Sequence, residues 1–400
     1  MRYLVLLLLV GISLAGCSDQ VEPADDPTLY SIPVVKDIDR FNAAVPLTSA
    51  GAAEPGVVVG PDGTLYANVW TQFFKSTDGV SWSALENPLQ TRGDTSLTVS
   101  PDGTLHAVAM AIASDDGPRL PYIRSTDGGA TWSTPIDLAS TTSNIDRPWI
   151  TALPDGRLVV VWNSFEDKET PVRISSDGGL TWAIAETPAP QHYLVLGPAV
   201  PTRDGGALIP LNGFDHMTLL RLHGTTWEAI DGPVAEGGSF VTIPSVAESR
   251  DGAIWIASTV GGETALNAAW AFYNAGAGWN GVKLYPGVAL MPWLQPTNDG
   301  VVATMYQRNP VVLDPILPNI VPADWDVAAV QLNASGIQRN VSVASAVHNG
   351  NICTSGAGCS QADWTFRDYF QTAVLTDGRI AVPFPVDAVG GVEVRVAISQ

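Results

Sequence analysis

The chain has 400 residues, 20 lysines and arginines against 40 aspartates and glutamates, and a net charge of −20. Such a field repels nucleic-acid phosphates and anionic lipid surfaces, which excludes nucleic-acid binding as a reading. With 38 glycines, 30 prolines and only three cysteines, the composition suits many short strands and turns rather than a disulfide-built scaffold.

The first sixteen residues read as an export signal and lie outside the fold. Arg2 precedes the apolar run Leu4 to Leu9, which is too short to span a membrane comfortably. Leu14-Ala15-Gly16-Cys17 follows and resembles the lipobox of bacterial lipoproteins. The resemblance implies lipidation of Cys17, an exported, membrane-anchored chain, and an outer-membrane or periplasm-facing position. An ordinary secretory signal is the alternative. Residues 17–29 then form an acidic tether, and 30–400 are expected to form one domain.

Three near-identical segments come next. Ser125 to Trp132 and Ser175 to Trp182 both follow Ser-x-Asp-x-Gly-x-Thr-Trp, and Ser76 to Trp82 is one residue shorter. Their tryptophans fall at 82, 132 and 182, a fixed period that means stacked like units. Asp-Gly supplies a tight turn, the Asp and Ser side chains can bond its amides, and Trp brings a large area to bury. Weakened copies end at Trp227 and Trp279. The segment resembles the Asp box of the bacterial neuraminidase repeat, found in sialidases and other β-propellers.

Seven further Asp-Gly pairs, at Asp62, Asp102, Asp155, Asp204, Asp251, Asp299 and Asp377, sit between short apolar runs. Each reads as a hairpin. The order strand A, Asp-Gly turn, strand B, strand C, Asp box, strand D makes one four-stranded blade per period. The expected fold is therefore all-β, a β-propeller of seven blades, with six as the alternative. The last blade lacks one strand, which Ile32 to Lys36 would supply to close the ring.

In such a ring, ligands collect over the central pit, where the lead-ins to every strand A converge. Three of these carry arginine beside an acid: Arg92-Gly93-Asp94, Asp146-Arg147-Pro148-Trp149 and Arg367-Asp368-Tyr369. Arginine forks suit carboxylates, so a glycan or small acidic ligand is the expected partner. The sialidase resemblance implies an arginine set, an Asp acid/base and a Tyr nucleophile. Candidate substrate-binding residues are thus Arg92, Arg147, Arg367 and Trp149, and candidate catalytic residues Tyr369, Asp368 and Asp94. The hallmark Arg-Ile-Pro is missing, since Ser31 precedes Ile32-Pro33. Tyr306, Arg119, Arg308, Trp293, Trp325 and Trp364 are secondary candidates near the same face.

Cys353 and Cys359 can close a small-loop disulfide in an oxidising compartment, with a metal site the weaker alternative. No zinc-protease His pair, phosphate-cradling loop or dinucleotide fingerprint occurs, so neither metal nor cofactor is expected. Two functions remain: a lipid-anchored, sialidase-like propeller that binds or hydrolyses an acidic glycan, or a non-catalytic scaffold for envelope proteins.

Overall fold

The computed structural model describes residues 31–48, 54–89, 91, 93–113, 117–140, 145–164, 171–188, 195–262, 265–308, 324–353, 366–389 and 391–400. The signal segment, Cys17, the tether, Arg92, Cys359 and Trp364 lie outside these residues. Seven antiparallel sheets, each four strands deep, follow one another around a ring. In blades 4 and 5 the innermost position is shared by two short segments, Val195–Leu196 with Val200–Pro201 and Ser239–Phe240 with Ser245–Glu248. Blade 1, for example, runs Pro55–Val59 (A), Leu65–Val69 (B), Gln72–Ser76 (C) and Ser83–Leu85 (D).

Local chemistry sets the face opposite the pit. At Ser125–Trp132 the Ser125 hydroxyl donates to Asp127 (2.7 Å) and accepts from the Gly129 amide (2.8 Å). Asp127 also accepts from the Thr131 amide at 2.9 Å. These hydrogen bonds, led by those from Thr131, hold the Asp127 carboxyl down at about 2. Asp177 repeats the pattern with Ser175 and Thr181. Each box tryptophan then packs toward the preceding blade. Trp132 lies 5.7 Å from Phe73 of blade 1, and Trp182 meets the edge of Tyr122 of blade 2 at 4.9 Å. The weakened copies keep this role, because Trp227 joins the core between blades 3 and 4 and Trp279 that between blades 4 and 5.

Ring closure differs from the sequence expectation in its strand. Val45–Thr48, not Ile32 to Lys36, completes blade 7 by pairing with Gly391–Ile398 (Val45 opposite Val396). Pro33 has no amide for a ladder. The segment instead crosses the seam of blades 6 and 7, where the Val35 amide donates to Pro296 O and the Lys36 amide to Gly378 O. Val35 and Ile38 are buried there. A single sheet thus joins both ends of the domain.

Strand A of several blades begins with an irregularity at the pit. The A–B register shifts between Gly93 and Thr95, between Asp146 and Trp149, and between Leu290 and Trp293. The residues inside these bulges, Asp94, Arg147 and Met291, have φ of 44°, 47° and 55°. Glu54 (61°) and Arg367 (59°) share the left-handed conformation at the lead-ins of blades 1 and 7. Each costs about 1–2 kcal/mol for a side chain other than glycine. Strain is gathered at one mouth.

Candidate functional site

The bulges turn charged side chains over the pit. Arg147 forms the centre. Its amide donates to Asp94 (3.2 Å), Nη1 to Asp146 (2.6 Å) and Nε to Asp368 (3.2 Å), while Nη2 also reaches Asp368. The charge of Asp94 acts on both Glu54 and Asp146 and raises their pKa values. Four carboxyl groups from blades 1, 2, 3 and 7 therefore surround one guanidinium. Inner strands of blades 7 and 1 are stitched together beside them, with the Gln371 amide on Pro55 O and the Val57 amide on Gln371 O.

Beneath lies an aromatic floor. Tyr369 is 4.6 Å from Trp149 and 6.2 Å from Trp293, and the two tryptophans are 5.8 Å apart. Trp149 is 1% exposed, so it offers a sugar no open face and serves as floor instead. Its indole is large and apolar, and the closed ring gives it a dry place to pack. Arg367 sits at the side of the mouth, its guanidinium 4.2 Å above the Trp70 ring.

Burial and crowding set the protonation of these groups. Burial pushes the Glu54 carboxyl well above the usual range, aided by the charges of Asp94 and Asp368 and opposed by Arg147. Burial likewise raises Asp146 to about 7, with Arg147 opposing and Asp94 assisting. Burial alone would lower the Arg147 guanidinium, but Asp368 and Asp146 more than reverse it. The Tyr369 phenol is raised by burial first, then by Glu54, Asp94 and Asp368.

A folded-state pKa above the unfolded value means that folded Glu54 keeps a proton the unfolded chain gives up above about 4.5, the ordinary value. Stability is therefore lost as pH rises from there through the folded pKa. Glu54→Gln keeps the shape and removes the buried ionisable group, and so escapes that cost. It is expected to unfold about 3 °C or more above wild type at pH 8 and at the same temperature near pH 4. Thermal melts at the two pH values check this, and an equal shift at both would remove the buried-acid explanation.

Residues 57–230 match the model of a BNR repeat-like domain. The matched stretch spans blades 1 to 4. No curated protein matches the chain in sequence. Among solved structures, an ulvan lyase of a polysaccharide lyase family is similar over 92% of this chain and 94% of its own, at 9% identity and a TM-score of 0.58. A second structure of an ulvan lyase of that family holds -[GlcA(1-4)Rha3S]- (TM-score 0.55, 10% identity, 92% and 94% covered). A Hadza microbial sialidase, 18% identical, aligns over 66% of this chain and 65% of its own with a TM-score of 0.47. At these identities the likeness is one of fold.

Of the residues expected at the mouth from their place before strand A, Asp94, Arg147, Asp368 and Tyr369 come together, and Arg367 flanks them. Of the secondary candidates, Trp293 joins the floor and the others that the structure describes go elsewhere. Arg119 pairs with Asp137 at 3.3 Å on outer strands. Tyr306 is buried between Phe366 and Phe370, and Trp325 is buried under Arg308. Cys353 is disulfide-bonded. Glu54 was not among the expected residues, although it stands directly before strand A of blade 1. Its place in the lead-in to an inner strand is the one signal the sequence carries for it, since no arginine stands beside it. Among the described residues, no group of three or more His, Cys, Asp or Glu side chains is placed to hold a metal ion.

Proposed function

We propose that the mouth is a glycan site and that the chain binds or hydrolyses an acidic glycan there through carboxyl acid–base chemistry. One observation carries the reading: four carboxyls crowd a single guanidinium on strained backbone. Burial raises two of these carboxyls, Glu54 and Asp146, and gathering buried acid costs a fold stability. Perturbed acids in a concave site are the usual mark of chemistry.

Asp146, near 7, keeps a proton at neutral pH that a glycosidic oxygen can take. Asp368 and Asp94 fill the complementary roles of base or nucleophile. Tyr369, with Glu54 as its first charged neighbour, is the sialidase-type alternative for the nucleophile. Arg367, at the side of the mouth, brings the positive charge that draws a sugar carboxylate, while Arg147 holds the acids in place. The glucuronate-containing ligand of the ulvan lyase supports an acidic glycan as the class. On the same reading the chain is exported and anchored through lipidated Cys17.

Turnover of fluorogenic sialosides and uronate glycosides is expected to fall as pH rises past 7 and Asp146 loses its proton. Asp146→Asn is expected to reduce kcat/KM by roughly 100-fold or more. A glycan array without retention, together with no turnover of either substrate class, would end the proposal. The scaffold reading has one observation in its favour. A cleft of about 580 Å³ opens between blades 4 and 5, lined by Trp270, Phe272, Trp279 and the exposed Val234.

A further inference from the structure

Arg308 ends strand B of blade 6, Gly300–Arg308, at the seam with blade 7. It is 5% exposed, and its guanidinium lies 5.0 Å over the Trp325 ring. Its Nε and Nη1 are buried with no hydrogen-bond partner. Two residues earlier on the same strand face, the Tyr306 hydroxyl is also buried without a partner. Burial lowers the Arg308 pKa, with no carboxylate among the described residues acting on it. In a chain with twice as many acids as bases, this cation stands apart from all of them among the described residues.

Packing does not account for the choice. A buried guanidinium with idle N–H groups costs stability, and a methionine of similar length would fill the space without that cost. The Trp325 face holds the guanidinium plane in place, while its donors await an acceptor. We propose that Arg308 marks an anion site at the seam of blades 6 and 7, separate from the mouth, which takes an oxyanion such as a saccharide carboxylate or sulfate. Tyr306 supplies a further donor on the same side. The site does not depend on the chemistry of the mouth, and either can stand without the other.

Thermal unfolding of the full chain tests it, with sodium sulfate or sodium glucuronate compared against sodium chloride at equal ionic strength. Wild type is expected to gain about 3 °C at about ten times the dissociation constant, with either oxyanion. Arg308→Met is expected to lose that gain and to be no less stable than wild type in chloride. Arg308→Lys keeps charge and stem but not the planar fork, and is expected to lose most of the gain. Three results would overturn the site: no oxyanion-specific gain in wild type, an undiminished gain in both variants, or a marked loss of stability by Arg308→Met in chloride. The last would mean that the guanidinium already has its partners within the fold.

Discussion

Arg147→Met is expected to be the most damaging single change at the mouth, lowering unfolding free energy by about 4 kcal/mol at pH 8. Methionine fills much of the same volume, so the loss is electrostatic. Asp146 and Asp368 would keep their burial and lose the only guanidinium bonded to them among the described contacts. The effect carries its own signature. Arg147 opposes the rise at Glu54 and Asp146, so without the guanidinium these two rise further, and acid relieves the repulsion by protonating them. Denaturant titrations at pH 8 and pH 5 are expected to show a deficit at pH 5 less than half that at pH 8. An equal deficit at both values would mean that Arg147 acts by packing and that the carboxyl cluster is not held by its charge.

The other large effect belongs to the opposite face. Gly179 lies in the Asp box of blade 3 with φ of 81°. A Cβ there would stand 1.8 Å from the Tyr122 hydroxyl and 2.4 Å from its ring carbon Cζ. Tyr122 cannot yield. Its ring is fully buried, its hydroxyl is 2.7 Å from His106 Nδ1, and His106 Nε2 is 2.9 Å from Ser100. Burial holds His106 down at about 4, so the imidazole stays neutral at ordinary pH. Gly179→Ala therefore combines backbone strain with overpacking and is expected to cost roughly 4 kcal/mol. Gly156 has a similar φ of 87° with nothing within 4 Å of a Cβ. Gly156→Ala is expected to cost about 1–2 kcal/mol, for strain alone. Matching losses in the two variants would show that the box glycine answers only to its dihedral, not to the neighbouring blade.

Legibility in the sequence followed the distance between partners. Asp127 meets Ser125 and Thr131, and Asp62 meets the Thr64 amide, all within a few residues. A pattern eight residues long can report such contacts, and repetition multiplied the signal into a blade count. That the box tryptophan would be buried was also legible, but its partner was not: chain order points it to the next unit, and Trp132 and Trp182 pack on the preceding blade instead. The closing strand was less legible. Both Ile32 to Lys36 and Val45–Thr48 are short and apolar, and only the partner at Gly391–Ile398 distinguishes them.

By itself the sequence determined the all-β class, the seven units, the turn-bearing face and the arginines and acids that lead into the inner strands. Those features rest on hydrogen bonds and dihedral preferences within single hairpins. Tertiary structure decided what these lead-ins become together. Glu54, Asp94, Asp146, Arg147 and Asp368 come from four blades and meet because the ring closes and bulged backbone turns each inward. It also made Trp149 a floor and left Arg308 without a carboxylate among the described residues. Desolvation and charge–charge coupling depend on where every other blade stands, and no local stretch of chain carries that information.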